Sequence, residues 1–215
     1  MQKIEGKEFR MALDKGNAHF HDLHLHDCAF DNCGLSMVKY PQRMSRVQNV
    51  TLSQCRVVNS EIKPCVFEDV VVEDLSTNPI LLVWAAFLRR VTLKGKIGKI
   101  NLNLTPEAFC TDADRLQQFE TARAAFYAET DWALDISEAR LLGLRCEGVP
   151  LAPDQARSAN AGDPGQARAL SWAAGAGCQL RQGVSRCRQR AARLRRIRPA
   201  GHAAGRINGC AEEAA

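Results

Sequence analysis

Apolar residues recur in this chain every five positions, a period that fits neither a helix nor a long strand. The pattern begins at Ala18. AHFHD, LHLHD, CAFDN and CGLSM run from 18 to 37, and VTLSQ, CRVVN, SEIKP, CVFED and VVVED from 50 to 74. LDISE, ARLLG and LRCEG cover 134 to 148. The third position is apolar throughout: Phe20, Leu25, Phe30, Leu35, Leu52, Val57, Ile62, Phe67, Val72, Ile136, Leu141 and Cys146. The first position is apolar except at Ser60, and the fourth is polar except at Val58 and Leu142. The fifth holds Asp22, Asp27, Asn32, Asn59, Pro64, Asp69, Asp74, Gly143 and Gly148. Each of those is a turn former.

Two inward residues separated by one outward residue make a short segment of period two. A turn every five residues bends the chain before an ordinary strand can form. Four bends close a coil of about 20 residues, and successive coils stack roughly 4.8 Å apart. One coil cannot bury its own core, so stacking supplies the stability.

These pentads resemble the pentapeptide-repeat family, whose members form right-handed quadrilateral β-helices. The resemblance covers residues 18–102 and 134–151. The family favours Ala at the first position and Asp or Asn at the second. Here the second position holds His19, His24, Ala29, Gly34, Thr51, Arg56 and Glu61, with Asp135 the main conforming residue. The resemblance implies a mainly β fold, a right-handed β-helix. A less regular β-helix or a small β-sandwich is the alternative.

Interruptions are also legible. Leu35 to Leu52 spans 17 residues, a slip of two, and KYPQRMSR between them reads as a surface loop. After Val72 the phase shifts through LSTNPILLVW. It resumes at Leu88, Leu93, Ile97 and Leu102, each preceded two residues earlier by Ala86, Val91, Gly95 or Ile100. Residues 105–130 break the period. Leu116, Phe119, Ala122, Phe126 and Tyr127 fall at helical spacing and predict a helix near 112–129. Thr111 or Asp112 can cap it. It is expected against the solenoid side or over an end, where it would block edge-to-edge pairing.

Composition and charge divide the chain. Residues 1–151 read as a β-solenoid with a helical insertion at 105–130, and 152–215 as a tail. From residue 151 on there are 11 Arg, no Lys and four acids, a charge of +7; the overall +5 leaves −2 for residues 1–150. Ala, Arg, Gly and Pro dominate the tail, and no sustained period survives in it. These are the residues GC-rich codons encode. The tail is therefore read as a disordered basic segment or an out-of-frame stretch. A basic tail can bind nucleic acid weakly through phosphates, with an affinity that falls with salt. The first residues carry no apolar signal segment. The longest apolar run, Pro79 to Leu88, is far short of the roughly 20 residues that span a bilayer. A soluble cytoplasmic protein without membrane contact is expected. The nine cysteines are odd in number and contain no CxxC pair.

Candidate chemistry centres on His19, His21, His24 and His26. His-x-His in an extended segment puts two rings on one side, which can hold a metal such as zinc. The alternative is that all four occupy outward columns as surface residues. Cys28, Cys33, Cys55 and Cys65 fall in the inward first column and read as packing. Glu68, Asp69, Glu73 and Asp74 are expected to form a small acidic patch. No glycine-rich phosphate loop, nucleophile elbow or other catalytic signature occurs. No catalytic, cofactor-binding or metal residue is assigned, and no cofactor is expected. The leading expectation is a non-enzymatic scaffold or protein-interaction module with an unknown protein partner. Nucleic-acid binding through the tail comes next, and a metal-binding protein or enzyme using His19–His26 last. Some members of the resembled family mimic duplex DNA and bind topoisomerases; the weak charge of residues 1–150 argues against that here.

Overall fold

The computed structural model describes residues 1–106 and 112–149. Among these residues the fold is mainly β, with one α-helix and a parallel sheet curled into a half-barrel. In chain order the strands are β1 (Gln2–Glu5), β2 (Glu8–Arg10), β3 (His19–His26), β4 (Ala29–Asp31), β5 (Gly34–Leu35) and β6 (Ser45–Ser53). They continue with β7 (Arg56–Val58), β8 (Glu61–Ile62), β9 (Cys65–Asn78), β10 (Leu81–Trp84), β11 (Phe87–Asn103) and β12 (Leu134–Cys146). Helix α1 (Ala113–Ala128) lies between β11 and β12.

Among the described residues every strand pairing is parallel, and the register repeats about every 20 residues. Gln2 lies beside Leu23, Ser45 beside Cys65 and Phe87 beside Val66, separations of 21, 20 and 21. Ala29 lies beside Arg56, a separation of 27. The extra seven residues are the loop 38–44, which contains a 3-10 turn at Pro41–Arg43. The loop is shorter than KYPQRMSR, because Ser45 and Arg46 already belong to β6. Residues 45–49 thus form a further pentad, with Val47 at its inward position.

The third-position residues stack as columns. Ile4, Leu25, Leu52, Val72 and Leu93 form one. Phe20, Val47, Phe67 and Leu88 form a second, and Phe9, Phe30, Val57 and Thr77 a third. Leu35, Ile62, Val83, Leu102 and Cys146 form the fourth. Ile97 departs from the expected column. It pairs with Leu75, which opens the pentad after Val70–Asp74, and with Leu141, which is displaced in the same way from its expected third-position column, and it is buried. From Ile97 to Ile100 the chain uses three residues where Leu75 to Leu81 uses six, and Gly98 lies tight against Thr77; a Cβ on Gly98 would sit 2.3 Å from Thr77 Oγ1.

The corners carry the period in the backbone. Positive φ angles recur at Gly6, Met11 and Gly16, then Asp22, Asp27 and Asn32, then Asn49, Gln54 and Asn59. Asp69 and Asp74 follow, and then Ala85, Arg90 and Gly95. Side chains of Asn and Asp tolerate this left-handed conformation better than most. Pro64 and Gly143 are predicted corners without it. Corner amides donate to the adjacent pass: Asp27 N–H to Ser53 O at 3.0 Å, and Gln54 N–H to Glu73 O at 2.9 Å.

The strands begin at Gln2, earlier than the pentad pattern. In the first pass Gln2 takes the column position that Leu23 and Val50 fill later. A pass at an end buries only one of its faces, so a polar residue there costs less. The helix lies where spacing predicts it, and Asp112 caps it by accepting from the amides of Asp114 and Arg115 at 3.1 and 3.2 Å. It packs on the side of the sheet and not over an end. Phe119, 1% exposed, sits among Val66, Ala85 and Phe87. Val66 and Phe87 are outward residues that are apolar where Arg46, their ladder neighbour, is polar. The Tyr127 hydroxyl accepts from Leu88 N–H at 3.2 Å, and Arg123 donates to Leu104 O at 3.0 Å. Thr111 and the tail 152–215 lie outside the described residues.

Candidate interaction surface

The outward columns of the middle passes are ion-pair ladders. Glu68 on β9 lies between Arg46 on β6 and Arg89 on β11, at 3.3 and 3.2 Å. Arg90 grips Asp69 through two bonds of 2.5 and 2.8 Å, and Glu73 meets Lys94 at 3.4 Å. Asp74 Oδ1 accepts the backbone N–H of Lys96 at 2.7 Å. The expected acidic patch is therefore not an acidic surface. Each of its side chains is matched by a donor one pass away: Arg89 and Lys94 lie in register with Glu68 and Glu73, while Arg46 reaches Glu68 diagonally from β6, where Gln48 is the in-register neighbour. Hydrogen bonding from Arg90 holds the Asp69 carboxyl below its ordinary value and raises the Arg90 guanidinium.

The four histidines line β3 as outward residues on two adjoining stretches. His19 and His21 have ring centroids 4.8 Å apart; His24 and His26 are 6.3 Å apart. Their nitrogens meet other partners. His19 Nε2 is 3.2 Å from Gln48 Oε1, and His21 Nδ1 is 2.9 Å from Asp22 Oδ2. His24 and His26 both meet Ser53 Oγ, at 3.1 and 2.9 Å. Among the described residues no three His, Cys, Asp or Glu side chains converge into a metal-holding group. The corner at Asp22 separates the two pairs and turns them onto different stretches.

The inward cysteines are packing groups with satisfied thiols. Cys28 donates to His26 O at 3.4 Å, and Cys55 to Ser53 O at 3.5 Å. Cys65 donates to Ser45 O at 3.1 Å. Burial pushes the thiols of Cys55 and Cys65 up, and that of Cys146 up to about 12. A thiol held protonated is a poor nucleophile. Beside Cys65 a polar knot closes the loop 38–44. Asp14 accepts from Gly16 N–H and Ser36 N–H at 3.0 Å each and from the Ser45 hydroxyl at 2.5 Å. The Ser36 hydroxyl donates to Pro64 O. These groups are used up by the fold.

What the walls lack is found at the N-terminal end. Strand β1 pairs only with β3, and β2 only with β4; no described strand covers their other edges. The large apolar side chains exposed among the described residues concentrate there. Met1, Met11, Leu13, Phe20 and Met37 belong to the first two passes, with Leu13 at 60% and Met11 at 77%; Tyr40 lies in the loop 38–44, and Leu142, at 78%, stands alone on β12, which pairs with β11. Leu13 Cδ2 and Met37 Sδ lie 2.9 and 2.7 Å from where a Gly34 Cβ would be, so the missing side chain lets both crowd over that glycine. Phe20 was expected in the core. It is partly exposed because its column begins with it, with no residue above. A shallow cavity of about 350 Å³ opens at the neighbouring corner, between Lys7, Glu8, Asp27 and Arg56.

Comparison with known proteins finds no matching family model, no matching curated protein and no matching solved structure. The surface must therefore be read from its own chemistry. No helix among the described residues is long and apolar enough to cross a membrane. The pentads did not point to the N-terminal end, because Gln2, Lys7 and Asp14 break the column rule. The alternation of Ile4 and Phe9 with Lys3, Glu5, Glu8 and Arg10 was the available signal.

Proposed function

We propose that the chain is a right-handed β-helix of the pentapeptide-repeat kind and serves as a non-enzymatic protein-interaction module, docking through its N-terminal end. One observation carries this reading. Exposed large apolar side chains gather beside the one-sided strands β1 and β2, while the middle passes present matched ion pairs. An uncovered strand edge offers backbone hydrogen bonds, and adjacent apolar groups supply the area that makes such contacts hold. The twenty-residue register, the five-residue corners and the four apolar columns support the β-helix.

The test immobilises the 215-residue chain and identifies what it binds, a second copy of itself included. Met11→Glu/Leu13→Lys should abolish binding, and Leu142→Lys, on β12 far along the stack, should leave it intact. Binding unaffected by the double substitution, or no binding, would refute the assignment.

A second reading rests on the Arg-rich sequence 152–215, whose charge of +7 suits a phosphate backbone. It predicts nucleic-acid affinity that falls steeply with salt and vanishes when 152–215 is deleted.

A further inference from the structure

We infer that the partner at the N-terminal end is a second copy of this chain, joined by antiparallel pairing of β1 with β1 of the other copy about a two-fold axis. This rests on the docking role proposed for that end.

Three features converge. First, β1 is the foremost strand at this end: the chain leaves it through β2 and returns one layer deeper at β3. Two such ends brought face to face meet at β1 before any other strand. Second, its free edge is regular. All four residues of β1 are in register with β3, with no bulge to turn the edge away. No proline interrupts it, and its backbone can donate and accept along its length. Third, its outward charges are self-complementary. Lys3 and Glu5 flank inward Ile4 and lie 59% and 57% exposed, with their side chains already 2.7 Å apart. An isologous contact places each patch on its own twin with the order reversed. Centred on Ile4, that reversal sets Lys3 opposite Glu5 of the other copy, Glu5 opposite its Lys3, and Ile4 opposite Ile4.

A parallel head-to-tail contact would not use this symmetry, and a foreign strand would have no reason to match it. The exposed Leu13, Phe20 and Met11 then lie behind the paired strands as the apolar part of the interface.

The experiment is sedimentation of the full 215-residue chain and of charge variants at β1. The wild-type chain should sediment as a concentration-dependent dimer. Lys3→Glu and Glu5→Lys each set like charges opposite one another twice per dimer. Each should weaken association about tenfold. The double variant Lys3→Glu/Glu5→Lys restores complementarity and should restore the dimer. An equimolar mixture of the two single variants should form a heterodimer tighter than either homodimer. Both positions are exposed, and matching circular dichroism across the set separates lost pairing from lost folding. A dimer indifferent to both single variants, or single variants that do not complement each other, would overturn the antiparallel β1 contact. A wild-type chain that stays monomeric, while its N-terminal end still captures another protein, would overturn the second copy and leave the docking role standing. A monomer with no captured partner would overturn both.

Discussion

The middle passes and the first pass obey the same five-residue arrangement, yet they differ in what it achieves. In the middle, Val70 on β9 has β6 on one side and β11 on the other and is 2% exposed. Cys65 is fully buried, and outward Glu68 has an arginine on each side. In the first pass Leu13 is 60% exposed and Met11 77%, and the ion pairs Lys3–Glu5 and Arg10–Glu8 stay within their own strands. Position in a pentad sets which way a side chain points. The presence of a neighbour above and below sets how much that direction is worth. This is the behaviour of a stack whose stability sums over interfaces between adjacent layers.

The largest expected contrast is in the core. Ile97→Ala removes a side chain 1% exposed and should cost about 3 kcal/mol in urea unfolding. Leu13→Ala, in the first pass, should stay within about 0.5 kcal/mol. Equal losses would show that the first pass is as well covered as the middle.

Glycines sharpen the same contrast. Gly98→Ala drives a Cβ to 2.3 Å from Thr77 Oγ1 and 2.7 Å from its backbone nitrogen, and should cost about 2 kcal/mol. Gly6→Ala meets nothing within 4 Å but carries a φ of +61°, so it should cost about 1 kcal/mol from backbone strain alone. Thermal melts of the two variants check the order.

The smallest effect tests the ladders. The folded Asp69 carboxyl lies below its ordinary value because Arg90 bonds to it. Its contribution is complete above the unfolded value of about 4 and is lost as the pH falls through the lower folded value. Both side chains are about 40% exposed, so screening limits the effect. Asp69→Asn should lose about 0.5–1 kcal/mol at neutral pH. Wild type and variant should converge in acid; a difference that persists there would mean the substitution acts through packing and not charge.

The inward columns, the Asp and Asn corners and α1 were legible in the chain because each rests on a local pattern. Phe119 and Tyr127 sit at helical spacing, and Asp22, Asp27 and Asn32 recur at five. The pairing of Glu68 with Arg46 and Arg89 was not legible. It depends on the spacing between passes, 20 residues from β6 to β9 and 21 from β9 to β11, and on Arg46 reaching diagonally past Gln48. The landing place of α1 was half-visible in Val66 and Phe87, two apolar residues in outward positions. The N-terminal end was hidden by Gln2 and Lys7, polar residues that an end layer tolerates and an interior layer would not.

The central claim, a cooperative stack whose first pass is covered on one side, is tested most directly by hydrogen exchange followed residue by residue in dilute solution, where copies are apart. The account predicts that amides of β6, β9 and β11 exchange only through global opening, while those of β1 and β2 exchange orders of magnitude faster. Equal protection of β1 and β9 under those conditions, or fast exchange throughout β9 and β11, would contradict it.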